Sequence, residues 1–231
     1  MIQLTPDETA FLASLYRDTN GYIKVMGSAD RDVYPDKTRN STFVTNSSFK
    51  KTTVSNTVNM HGFTRNNLYL STSTFRDNTS ATVDNIATVQ CLCVDIDYKG
   101  KYQDHTPEYV LPILYDKMYQ SFCNSKFIPY PTYVETSRHF RFIYVLKEPV
   151  CLRIDNSKKR KSTVVWLNKI LRSFATAINA LDPDFNAEVQ ALTKFIRCPG
   201  SVNKRFINPK RSYNKKTHKF DIFTCDEALC Y

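Results

Sequence analysis

Two carboxylates, Asp95 and Asp97, close the apolar run that begins at Val89. Side chains alternate across a β-strand, so residues 95 and 97 share one face while Val94 and Ile96 take the other. Two like charges held that close repel each other unless a cation lies between them, and a hard divalent ion with oxygen ligands meets that need. The same spacing also suits a strand that runs out into a solvated turn at Tyr98-Lys99-Gly100. Ser137 and His139, again two apart, lie between the strand-like segments 133–135 and 140–146. With extended backbone they share a face, and the imidazole can donate to a phosphate, although a lone histidine is more often structural. Further on, Arg197-Cys198-Pro199-Gly200-Ser201-Val202-Asn203-Lys204-Arg205 packs donors around a Pro-Gly turn, where they can converge on an anion or simply form a solvated basic turn. Upstream of it, Leu181-Asp182-Pro183-Asp184 offers a further carboxylate, or only the stop signal of a helix.

The elements that must hold these groups alternate without regular βαβ order. Thr5-Pro6 and the stripe Phe11, Leu12, Leu15, Tyr16 predict a short amphipathic helix over 5–16, broken at Gly21 and followed by a strand over 22–26. Residues 30–59 are polar and fit a loop or wet-faced strands equally well. Strands are expected at 68–71, 89–97, 133–135, 140–146 and 219–224, and helices at 107–123, opened by Thr106-Pro107, and at 162–181. The run Lys158, Lys159, Arg160, Lys161 precedes that last helix as a charged start. The pattern is α+β with a mixed, largely antiparallel sheet.

A chain of 231 residues suits one domain or two small lobes sharing a core. Lys and Arg outnumber Asp and Glu by 32 to 22, a net charge of +10, which favours a polyanionic partner because binding phosphates releases counterions. No apolar stretch reaches membrane-helix length and residues 1–16 lack the features of a signal peptide, so the expectation is a cytoplasmic protein with no membrane partner. Seven cysteines, several in apolar segments, read as reduced buried thiols rather than a disulfide framework. A zinc site at Cys225 and Cys230 lacks a second ligand pair.

In order and spacing, these motifs resemble the archaeo-eukaryotic primase superfamily, especially primase-polymerases and replication-initiator primases of plasmids and mobile elements. That superfamily has an apolar strand ending Asp-x-Asp or Asp-x-Glu, then Ser-x-His, then an apolar residue followed by Asp. Asp95 and Asp97, Ser137 and His139, and Leu181-Asp182 match, about forty residues apart each time. The plasmid branch adds Arg-x-Pro-Gly-x-x-Asn-x-Lys; Arg197, Pro199, Gly200 and Asn203 match it, but Lys204 follows Asn203 directly. The resemblance spans residues 67–205, with Asp184 as the alternative to Asp182.

The resemblance implies an RRM-like catalytic palm over 67–231, flanked by an N-terminal α/β lobe over 1–66. It implies a nucleotidyltransferase that makes primers on single-stranded DNA from NTP or dNTP, with Mg²⁺ or Mn²⁺ held by Asp95, Asp97 and Asp182. Ser137, His139, Arg197, Asn203 and Lys204 then face the incoming triphosphate, and Lys158, Lys159, Arg160, Lys161, Lys210 and Arg211 the template. Other replication proteins are expected partners. Three carboxylates sharing a hard cation must come within about 5 Å of one another. Larger relatives carry a helical DNA-binding or helicase region after the palm; none is visible here, which fits a catalytic fragment of a longer protein as well as a small complete primase. Two rivals are a nucleic-acid-binding module without catalysis and a rolling-circle initiator nuclease. The nuclease needs a His-apolar-His pair that the four histidines do not form.

Overall fold

The computed structural model describes residues 6–17, 21–27, 41–45, 68–124, 128–136, 139–152, 157–199, 202–203, 211–214, 219–222 and 228–229. Its centre is strand β5 (Ile86–Tyr98), in which Val, Leu, Cys and Ile dominate and nearly every residue is buried. A strand buried on both faces needs cover on both, and two clusters of apolar side chains provide it.

On one face lie α2 (Pro107–Cys123) and α3 (Ser157–Asn179). Leu114 and Met118 of α2 and Leu167, Leu171, Ala175 and Ile178 of α3 pack against Leu92, Val94, Ile96 and Tyr98. Their spacings of three, four and seven put the buried residues of each helix on one side. On the other face, α1 (Pro6–Leu15) sets Phe11, Leu12 and Leu15 against Cys91, Cys93 and Ile143.

Strands β6 (Tyr133–Thr136), β7 (Phe140–Cys151) and β8 (Phe185–Val189) complete a β-α-β-β-α-β unit with α2 and α3 in the crossings. Its strand order is β8-β5-β7-β6, and every pairing is antiparallel. β8 pairs only the C-terminal half of β5. The N-terminal half pairs β4 (Ser73–Phe75), which leads on to β1 (Tyr22–Met26), β3 (Tyr69–Ser71) and β9 (Phe195–Arg197). With β2 (Ser41–Thr45) on β1, this is one nine-stranded sheet, so the lobe boundary expected near residue 66 does not separate two sheets. The sheet curls enough that β9 reaches back over β6 and β7: Arg141 Nη1 donates to the Phe195 carbonyl at 3.2 Å, and the Arg197 backbone N–H to Glu135 Oε2 at 3.2 Å.

Several expected boundaries shift. β7 runs on past residue 146 to Cys151, with Pro149 lying where its register against β5 slips, the place a residue without an N–H fits a sheet. The last long helix begins at Ser157 and ends at Asn179, taking in the basic run and leaving Leu181 outside. Short pairs β10 (Val202–Asn203) with β13 (Ala228–Leu229) and β11 (Arg211–Asn214) with β12 (Lys219–Ile222) follow. Of the described cysteines, Cys91, Cys93, Cys123 and Cys151 are free thiols, and Cys198 is buried. Among the described residues no helix is long and apolar enough to cross a membrane.

Candidate active site

Along β5 the face opposite α2 and α3 changes chemistry. Cys91 and Cys93 lie under α1, and Asp95 and Asp97 follow on the same side, beyond its cover. Directly opposed residues of paired strands share a face, so the register builds a charged row across four strands. Glu135 of β6 stands opposite Arg141 of β7, Arg141 opposite Asp95 of β5, and Asp95 opposite Glu188 of β8. In the next row Asp97 stands opposite Asn186, whose Nδ2 donates to Glu188 Oε1 at 3.2 Å.

Arg141 organises the row. Its Nε donates to Asp95 Oδ1 and its Nη1 to Glu135 Oε2 at 2.9 Å. Burial works against its charge, but Glu135 and Asp95 outweigh it and hold the guanidinium above its ordinary pKa. Lys194 Nζ lies 3.6 Å from Asp95 Oδ2. The turn bearing Lys194 is fixed through its carbonyl, which accepts from the Thr72 N–H at 3.0 Å and the Thr72 hydroxyl at 2.9 Å. Asp97, with 57% of its side chain exposed, has His139 Nε2 at 3.9 Å from Oδ1. The His139 ring meets Tyr98 edge-on at 4.7 Å.

Asp182 corrects the expected third carboxylate. It is buried, and its Oδ2 takes Lys101 Nζ at 2.7 Å, Lys117 Nζ at 3.2 Å and the Tyr102 hydroxyl at 3.1 Å. Lys117 belongs to α2 and Tyr102 to the helix-side core, so this carboxylate serves the other face of the sheet from Asp95. Burial alone pushes its pKa up, but Lys101, the Asp184 N–H, Lys117 and Tyr102 together hold it well below the usual carboxylate range. Asp184 is no substitute: its Oδ2 lies 3.8 Å from Lys101, and its carboxylate packs against Gly100, where a Cβ would come within 2.3 Å of Oδ1 and the φ of +56° also favours glycine. Among the described residues no three His, Cys, Asp or Glu side chains form a metal-binding group, so the expected convergence on Asp182 or Asp184 is not met. Besides Asp97, the carboxylates that do share the Asp95 face are Glu135, taken up by Arg141, and Glu188, exposed on β8.

Comparison with known proteins finds no matching family model, curated protein or solved structure.

Of the residues expected to hold a triphosphate, His139 stands at the Asp97 row, while Arg197 is held within the fold. Its Nη1 lies 3.6 Å from Glu135 Oε1, its guanidinium sits 5.9 Å from the Tyr69 ring centre, and only 13% of its side chain is exposed. Ser137 and Lys204 lie outside the described residues, and Asn203 is placed only by its backbone in β10. On the template side, Lys158, Lys159 and Lys161 are exposed on the first turns of α3. Arg160 is not: it donates to the Val83 carbonyl and is 14% exposed, so it anchors the helix instead of facing a template. Lys210 lies outside the described residues, and Arg211 is placed only as a backbone position in β11.

Three residues of the row, Glu135, Arg141 and Glu188, escaped the sequence reading of the site. The alternation Phe185, Ala187, Val189 against Asn186, Glu188 was the signal for the last of them.

Proposed function

We propose that the chain is the catalytic palm of a primase-polymerase, an RRM-like fold carrying out nucleotidyl transfer on a single-stranded DNA template. The observation that carries this reading is the placing of Asp95 and Asp97 side by side on the central strand of a β-α-β-β-α-β sheet, on the face away from α2 and α3. The order β8-β5-β7-β6 is that of split βαβ folds.

The donor set suits Mg²⁺ or Mn²⁺ in chemistry, being carboxylate oxygens on an open face. Asp95, Asp97 and Glu188, which as placed do not converge into a metal-binding group, would hold the cation only on drawing together on this face, with Glu188 in the part expected of Asp182. Bound there, the cation supplies the Lewis acidity that activates a 3′-hydroxyl and steadies the departing pyrophosphate. His139 beside Asp97 is set to donate to a phosphate oxygen of the incoming NTP or dNTP. Lys194 offers a second cation, and a nucleotide phosphate competes with Asp95 for it, freeing Oδ2. Arg141 and Glu135 keep Asp95 in place. The net charge of +10 favours a polyanionic template.

The test is primer synthesis on single-stranded DNA with labelled ATP or dATP and Mg²⁺ or Mn²⁺. Glu188→Gln is expected to lose activity by at least about a hundredfold, the scale of a lost transition-state contact of roughly 3 kcal/mol, while Asp182→Asn remains active. Inactivity of Asp182→Asn in a folded protein, with Glu188→Gln unaffected, overturns this assignment.

A second reading, a nucleic-acid-binding module without catalysis, is favoured by one observation: both Asp95 oxygens already face cations, Oδ1 on Arg141 and Oδ2 near Lys194. Absence of divalent-ion binding by the wild-type protein selects it.

A further inference from the structure

Helix α3 reads SKKRKSTVVWLNKILRSFATAIN, with six cations and no acid. Its buried residues, Leu167, Leu171, Ala175 and Ile178, fix which side faces the sheet. Lys158, Lys161, Val165, Lys169 and Arg172 follow one another at steps of three and four, which places them in a single stripe on the opposite side. All five are exposed, and Trp166 beside them has 55% of its surface in solvent. From Lys158 to Arg172 the stripe runs about 21 Å at 1.5 Å per residue.

An acid-free row of cations repels itself unless a polyanion covers it, and an exposed indole next to it is a surface on which an unpaired base stacks. Duplex DNA keeps its bases stacked within the helix and has no use for that platform. We infer that the outward face of α3 is a track for single-stranded nucleic acid, with Lys158, Lys161, Lys169 and Arg172 on phosphates along the strand and Trp166 stacked on a base. Since α3 packs on the Val94 and Ile96 side of β5, this track lies on the far side of the sheet from Asp95 and Asp97. It holds a strand away from the candidate active site, and it does not depend on that site being catalytic.

Trp166 is the only tryptophan in the chain, so its fluorescence reports this face directly. The test titrates the wild-type protein with a 20-nucleotide oligothymidylate, reading tryptophan emission together with the anisotropy of an end label on the oligonucleotide. Quenching is expected to saturate in step with anisotropy. The variant K161Q/K169Q/R172Q is expected to bind at least about tenfold more weakly at roughly 100 mM salt, with the log-log salt slope reduced by about 2. Trp166→Ala is expected to weaken binding roughly fivefold to a hundredfold. Asp95→Asn and Asp97→Asn must quench as the wild type does, which keeps a failed catalytic reading distinct from a failed track. A rise in anisotropy with unchanged tryptophan emission, or wild-type affinity in the triple variant, overturns the inference. So does quenching by phosphatidylserine vesicles but not by the oligonucleotide, which makes the stripe a membrane-surface contact.

Discussion

Asp182 and His139 show how little a residue's identity says about its work until its partners are known. The Asp-Pro-Asp segment carries a signal for a turn, and the Asp184 N–H does donate to Asp182 Oδ1 at 3.0 Å. Nothing local reveals that Lys101 and Lys117, far off in the chain, claim the other oxygen. Asp182 therefore acts on stability, with a definite pH dependence. Its folded-state pKa is depressed, so its stabilisation is fully present above the unfolded carboxylate value of about 3.9 and is lost as pH falls toward the folded value. Asp182→Asn is expected to lower unfolding free energy by roughly 1.5–3 kcal/mol at pH 7, a gap that narrows below about pH 4. Denaturant titrations at the two pH values measure it; an equal gap at both contradicts the ion-pair account. His139 belongs to the opposite class. If it contacts a phosphate, His139→Ala raises the nucleotide KM by roughly tenfold to a hundredfold, about 1.5–3 kcal/mol, with kcat largely kept. Steady-state kinetics at varied nucleotide decides this, and an unchanged KM returns His139 to a purely structural role against Tyr98.

At the scale of elements, legibility followed hydrophobic pattern. β5, α2 and the apolar face of α3 stand out because burial on the core demands long apolar runs or three-and-four spacing. β4 was missed because it is only Ser73-Thr74-Phe75, whose hydroxyls are satisfied by distant partners: Ser73 Oγ donates to the Leu192 carbonyl at 2.6 Å, and Thr74 Oγ1 pairs with Thr88 Oγ1 at 2.5 Å. β8 was missed because its five residues follow a strong helix-stop signal, and with it went Glu188. Arg160 was readable in principle, lying seven residues before Leu167 and eleven before Leu171, hence on their side of α3. Arg160→Ala is accordingly expected to cost stability, about 1 kcal/mol, without changing the salt dependence of DNA binding. Lys158→Ala is expected to leave stability alone and reduce the single-strand salt slope by about 0.7. Thermal unfolding and a salt series on both variants measure the contrast, and its reversal contradicts the placing of the two side chains.

Over the whole molecule, one curled sheet separates two chemistries. The face toward α2 and α3 is an aromatic and aliphatic core, backed by the basic outer stripe of α3. The other face is apolar under α1 and then charged from Asp95 onward, where Arg141 stands among the carboxylates Glu135, Asp95 and Glu188 in a row across four strands. Antiparallel α+β architecture was legible in the order of segments, whereas the curl that brings β9 over β6 and β7 arises from pairings between distant strands that no local pattern encodes. The central claim is that the charged end of the open face performs metal-dependent nucleotidyl transfer. Its most direct test is primer synthesis by the double variant Asp95→Asn/Asp97→Asn, measured beside its affinity for the same single-stranded template. The account predicts synthesis by the wild-type protein only with a divalent ion, loss of that synthesis in the variant, and template affinity within about threefold of wild type, since the basic residues carry binding. Undiminished synthesis in the variant, or none by the wild-type protein with either Mg²⁺ or Mn²⁺, contradicts it.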